Sequence, residues 1–224
     1  MQQHAIIVAG GSGLRMKSTT PKQFLNLNGM PILMHTIKVF FGFNPNINIV
    51  LVLPEAHVSV WKQLIITHNF ALKHHIVVGG KERFHSVLNG LNTVSDGIVG
   101  IHDGVRPLVS AETLKNCYST AMAHGVAIPV TEVVESLREK TSEGTTSVDR
   151  AKFLNVQTPQ CFDVKLLKAC YGVGFQSFFT DDASVWEHAG NKVHVVAGNV
   201  ENIKITNPSD LIFAEAILRS QNKR

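Results

Sequence analysis

The sequence predicts an α/β protein with a mostly parallel sheet, helices on both faces and a protruding β-hairpin arm. Three observations lead there. Short continuous apolar runs recur along the chain, as strands buried on both faces require. Amphipathic stretches of helical period separate them. One polar segment, Thr131–Phe153, breaks the alternation.

The first run, Ala5–Ala9 (AIIVA), reads as a strand. Pro31–Phe41 reads as a helix, with Pro31 in a first turn that tolerates a missing N–H. Asn48–Leu53 (NIVLVL) is a second strand, Glu55–Phe70 a helix and Ile76–Val78 a third strand. Glu82–Val94 is amphipathic, and Ile98–His102 (IVGIH) is a fourth strand. Ala111–His124 is a helix with Ser110 as its N-cap. Val126–Val130 is a further strand. In Thr131–Phe153 the turn-like cluster Ser142–Thr146 lies between short alternating runs, which reads as a hairpin arm. Such a hairpin is marginal alone, so a partner chain is expected to cover it. Helices follow near Val164–Tyr171 and Asp181–Ala189. Then come a strand at Val193–Ala197, the run Asn202–Thr206 and a helix from Pro208 to about Arg219. The expected organisation is one domain over residues 1–224, with the arm at about 131–153 as a subdomain.

Composition narrows the function. The chain has 224 residues, 44% hydrophobic and 17% charged, which is the balance of a globular protein. A net charge of +4 suits an anionic ligand, but its Lys and Arg are scattered and no nucleic-acid motif is present. No run is long enough to span a membrane. Neither a signal peptide nor a cysteine framework is visible in a chain with three cysteines. A cytoplasmic protein is therefore expected.

Chemistry concentrates where parallel strands end, the edge at which such sheets bind ligands. Gly10, Gly11 and Gly13 follow the first strand, and glycines let backbone amides approach phosphates closely. Arg15 and Lys22 add two cations to the same loop, with Pro21 stiffening the chain before Lys22. The Walker pattern GxxxxGK[ST] is absent, and Met16 stands where a dinucleotide fingerprint needs its third glycine. A triphosphate loop for nucleotidyl transfer remains, against a plain strand-to-helix turn. Gly79-Gly80-Lys81-Glu82-Arg83 makes a second such loop before a helix bearing Ser86. Asp103 closes the fourth strand, where it can hold a divalent cation or a ribose hydroxyl. Arg106 can grip a phosphate with two N–H groups, or can simply brace the turn through Asp103. Thr180-Asp181-Asp182 reads as helix capping rather than metal binding. Trp61 and Trp186 read as packing residues, and the 11 histidines as structural or surface groups.

In order, AGGSGLRM, PKQFL, GGKERFHSV, HDGVRP, VDR, TPQ, TDDAS and ENIKIT resemble the 2-C-methyl-D-erythritol 4-phosphate cytidylyltransferase family over nearly the whole chain. The resemblance implies a Rossmann-like nucleotidyltransferase fold that joins CTP to methylerythritol phosphate with release of pyrophosphate, using Mg2+. It implies that Arg15, Lys22 and Lys204 surround the CTP phosphates as the catalytic cations. Ala9, Gly10, Gly11, Gly13, Gly80, Lys81, Ser86 and Asp103 would bind CTP, with Asp103 a candidate metal ligand. Arg106, Ser136, Arg150, Thr158 and Lys204 would bind the acceptor. Arg150 would reach a neighbouring subunit's site in a homodimer joined through the arm. Ser136 stands for a threonine of the family's arm, with Thr131 as the alternative. The run Val8-Ala9-Gly10-Gly11 departs from the usual Pro-Ala-Ala-Gly, Lys81 replaces a frequent acid, and HDGVRP replaces HDAARP. Ribitol 5-phosphate is the rival acceptor. A nucleotide-binding homodimer without catalysis would not need three phosphate cations, and a nicotinamide oxidoreductase lacks its third glycine.

Overall fold

In the computed structural model of the chain, the described residues are 1–11, Met16 and 20–221. Four strands form the parallel heart of the sheet: β1 (Gln3–Val8), β4 (Asn48–Leu53), β5 (His75–Val78) and β6 (Ile98–Asp103). Their order is β6-β1-β4-β5, every pair parallel. Beyond β6 lies β11 (Gln160–Asp163), antiparallel to it, and then β7 (Val126–Glu132). β10 (Leu154–Val156) pairs antiparallel with the outer part of β7, while β12 (Val195–Ala197) runs parallel along it. A small pair, β2 (Asn26–Leu27) and β3 (Met30–Pro31), leads into the first helix.

Alternation along the strands explains the two-sided core. Ala5, Ile7, Ile49, Leu51 and Leu53 face one side and pack with α1 (Ile32–Phe43), α2 (Glu55–Thr67) and α4 (Ala111–His124). Ile6, Val50, Val52, Val99 and Ile101 face the other, with α3 (Arg83–Leu91), α5 (Val164–Tyr171) and α6 (Asp182–His188). Both faces are covered, so the strand sequences read as unbroken apolar runs. Trp61 and Trp186 are buried packing residues, as expected. A third cluster joins Leu27, Ile32, Val105, Leu108 and Ile205 to Ala214 of α7 (Pro208–Gln221), beneath the loop after β6.

Most expected elements appear within a few residues of their positions, and α4 with its Ser110 cap matches fully: Ser110 Oγ accepts from Thr113 N at 3.0 Å. Three differences have physical causes. Pro31 is the N-cap of α1 rather than a residue of its first turn. β11 has only four residues, too few for a periodic signal, and follows the cis Thr158–Pro159 bond. The run 202–206 joins no strand ladder; one backbone–backbone bond, Ile205 N–H to Val105 O at 3.0 Å, ties it to the loop after β6. The arm is a two-stranded hairpin, β8 (Arg138–Thr141) with β9 (Gly144–Ser147), exposed along its length.

Candidate active site

β1, β4, β5 and β6 are parallel and in register, so their carboxyl ends open on one edge. The ladder continues into the loops: Ala9 N–H bonds to Val52 O, Gly79 N–H to Leu53 O and Gly104 N–H to Val8 O, at 2.8–3.0 Å. A cavity of about 270 Å³ lies over these ends. Of the residues expected from sequence, Ala9, Gly10, Gly11, Lys22, Gly80, Lys81, Ser86, Asp103 and Lys204 line it. Gly13 and Arg15 lie outside the described residues. Arg106 and Thr158 stand behind Asp103 and touch it. Ser136 and Arg150 are exposed on the arm side and are not in this cavity wall; Arg150 donates to Val134 O.

On the glycine-loop side, Lys22 lies across Gly11: a Cβ on that glycine would stand 3.4 Å from Lys22 Cε and 3.7 Å from Nζ. Lys22 opens a 3-10 turn, Lys22–Phe24, anchored by its neighbours. Buried Gln23 donates through Nε2 to Ala9 O at 2.9 Å and to His57 Nδ1 at 3.1 Å. Phe24 stacks on Trp61 with centroids 6.1 Å apart. Gln23 was not expected to matter; its only signal is its place beside Lys22 in PKQFL.

The opposite wall is Gly79–Arg83. Gly80 N–H donates to the buried Ser86 Oγ at 3.1 Å, which folds the loop back onto α3. No side chain fits at Gly80, where a Cβ would come 2.3 Å from His85 Cβ. Gly10 differs, because among the described residues its Cβ would meet only Pro54, at 3.9 Å. The loop therefore tolerates the alanine that the resemblance leads one to expect there.

Asp103 forms the floor. Its Oδ2 accepts from Lys204 Nζ at 3.0 Å and Arg106 Nε at 3.2 Å. Burial raises its pKa, but the charges of Lys204, Arg83 and Arg106 outweigh that and hold the carboxyl well below the usual range. The brace between Asp103 and Arg106 is thus present, and Arg106 also donates to Asn202 O at 2.8 Å. Thr158 Oγ1 accepts from Asp103 N–H at 3.1 Å and meets His102 Nδ1 at 3.0 Å. His102 Nε2 faces Arg106 O at 3.0 Å, so that nitrogen carries the proton and Nδ1 accepts from Thr158. Burial pushes the His102 pKa down to about 4, which keeps this neutral form. Asn202 completes the frame by donating to Thr158 O at 2.8 Å. The loop carrying Lys204 is thereby tied to the strand end carrying Asp103.

The TDDAS motif divides its work. Asp181 caps α6 in a capping box with Ser184, as expected. Asp182 does not cap: fully buried, it takes two bonds from Arg83, at 2.6 and 3.0 Å. Arg83 also lines the cavity, and its contact with Asp182, 99 residues on, has no local sequence signature.

The family model for 2-C-methyl-D-erythritol 4-phosphate cytidylyltransferase matches residues 3–220. A relative of that name from Bacteroides thetaiotaomicron is 52% identical over 219 residues, covering 97% of this chain and all of the relative. Among solved structures, a 4-diphosphocytidyl-2C-methyl-D-erythritol synthase from Anaerococcus prevotii superposes with a TM-score of 0.83 at 29% identity, covering 97% of this chain and 96% of its own. The 2-C-methyl-D-erythritol 4-phosphate cytidylyltransferase of Thermus thermophilus gives 0.81 at 29% identity, covering 98% and 100%. With the cavity built from the ordered motifs and the match extending over nearly every residue, the chain belongs to the 2-C-methyl-D-erythritol 4-phosphate cytidylyltransferase family.

Proposed function

We propose that the chain transfers a cytidylyl group from CTP to 2-C-methyl-D-erythritol 4-phosphate in isoprenoid precursor synthesis. The observation that carries this reading is the cavity, which joins the glycine loop, Lys22, Lys204 and Asp103 at one sheet edge. An acceptor phosphate oxygen bonds to the α-phosphorus as the α–β bridging bond breaks, and pyrophosphate leaves with that electron pair. The acceptor phosphate is already a nucleophile, so no general base is needed. Lys22 and Lys204, with Arg15 of the same glycine segment, would offset the charge that grows on the phosphate oxygens.

Amides of the glycine loop, Gly10, Gly11 and Gly13, would cradle the phosphates. Backbone groups of Ala9, Gly10, Gly80 and Lys81, with the Ser86 hydroxyl, would hold the cytosine and ribose. Asp103, ionised and buried, offers the hard oxygen that suits Mg2+, whose remaining ligands would come largely from the phosphates. A bound Mg2+ would supply charge neutralisation and orientation of the triphosphate. Arg106 and Thr158 would act on the acceptor side beside Asp103.

Ser136, or Thr131 in its place, and Arg150 would serve the site of a second copy. Their position away from this cavity supports that, as do the exposed Val134, Phe153, Leu154, Val156 and Val195 around the arm's base. The reading therefore includes a homodimer joined through the arm, with residues 1–224 as one catalytic domain and the arm at about 131–153. It places the enzyme in the cytoplasm, consistent with three free cysteines. No helix among the described residues is long and apolar enough to cross a membrane, and no nucleic-acid partner is invoked.

The test is pyrophosphate release from CTP and Mg2+ with a panel of polyol phosphates. Release with methylerythritol phosphate is expected. Release with ribitol 5-phosphate alone would move the chain to the rival acceptor.

A further inference from the structure

Arg83 opens α3, where the helix dipole disfavours a cation. The helix has no acid in its first turn, and Glu82 at the N-cap makes no side-chain cap bond. Arg83 is therefore not placed there for the helix's own stability. Its guanidinium is held from elsewhere, with Nη1 and Nη2 donating to the two oxygens of Asp182 at 3.0 and 2.6 Å. Asp182 is in turn held by two other elements. Tyr171 of α5 donates its hydroxyl to Oδ1 at 2.7 Å, and Gln160 of β11 accepts from the backbone N–H of Asp182 and Ala183, at 3.0 and 2.9 Å, at the start of α6. Phe84, the next residue of α3, stacks on Tyr171 with centroids 4.5 Å apart.

A buried ion pair is a poor stabiliser, because desolvation offsets most of the attraction, and apolar replacements are often as stable. What this pair fixes is geometry. The wall Gly79–Glu82 has little freedom of its own: Gly80 packs against His85 and hangs from Ser86, both in α3. Where the first turn of α3 goes, that wall follows. The guanidinium has five N–H donors and the fork uses two. About a third of the side chain stays exposed at the cavity, on the side where its charge reaches Asp103.

We propose that Arg83 is a positioning residue for the nucleotide: its two-toothed grip on Asp182 sets the entrance of α3 and with it the cavity wall that receives the cytidine end of CTP. This rests on the reading of the cavity as a CTP site.

Two variants test it, Arg83→Lys and the apolar pair Arg83→Met with Asp182→Leu, measured for melting, for CTP binding by calorimetry and for initial rates. The apolar pair is expected to melt at or above the parent's midpoint. In both variants the KM and Kd for CTP should rise about tenfold or more, while kcat and the acceptor KM stay within about threefold. A folded apolar pair with the parent's CTP affinity would make the pair purely structural and overturn the proposal. So would Arg83→Lys with CTP affinity within about twofold of the parent, which decides alone if the apolar pair does not fold. A loss confined to kcat also overturns it. Parent protein that binds CTP but does not accept methylerythritol phosphate refutes the acceptor and leaves this test intact; parent that does not bind CTP refutes both.

Discussion

Lys22, Gly10 and His102 stand within one site and make three different demands on it. Lys22 lies across Gly11 in the cavity wall. Lys22→Ala should lower kcat by about 100-fold or more, as loss of a transition-state charge partner does, and cost no more than about 1 kcal/mol in urea unfolding. Near-parental turnover would remove Lys22 from the mechanism. Gly10→Ala should be harmless, since its Cβ has room beside Pro54. It should stabilise by about 0.5 kcal/mol by restricting the unfolded chain, with KM for CTP unchanged. His102 makes the fold sensitive to acid. Between its ordinary 6.5 and its folded value of about 4, the unfolded chain binds a proton that the buried ring refuses. Stability therefore falls as pH drops through that window, by about 2 kcal/mol from pH 7 to 4.5 for this one group. His102→Gln should remove that share of the slope in urea titrations at the two pH values; an unchanged slope would contradict the assignment. At this scale the glycines and lysines were legible because phosphate binding demands those residue types in a fixed order. Gln23, Arg83 and Asp182 were not, because their partners are 14 and 99 residues away and only the fold brings them together.

The helices and central strands were legible as elements because each has a long apolar period. β12 was legible within Val193–Ala197, but β10 and β11, of three and four residues, were not, and the pairing of all three depends on β7, which serves β11, β10 and β12 along its length. The arm was legible as an interruption of the alternation, and its shape followed from the turn cluster. What a polar hairpin does lies beyond its own sequence, because every residue of β8 and β9 is exposed. The dimer reading gives the arm a measurable role. Lys22→Ala and Arg150→Ala should each be inactive alone. If Arg150 serves the neighbouring site, mixed dimers rebuild one intact site in half of the molecules, about a quarter of parental activity. No recovery after unfolding and refolding the mixture together would place Arg150 in its own subunit's site or outside catalysis.

For the whole molecule, two packed faces hold four parallel strand ends level, and the third apolar cluster supports the loops that bring Lys204 to Asp103. The family's reaction is transfer of a nucleotidyl group rather than a terminal phosphoryl group, and the position of a label decides between them. CTP labelled at the α-phosphorus should be incubated with methylerythritol phosphate, Mg2+ and the protein, and the products separated. The α-label should appear in a cytidine diphosphate-linked methylerythritol, with one unlabelled pyrophosphate formed for each. Label left in CTP or CMP while the acceptor stays unmodified, or an acceptor that gains only the γ-phosphate, would contradict the account.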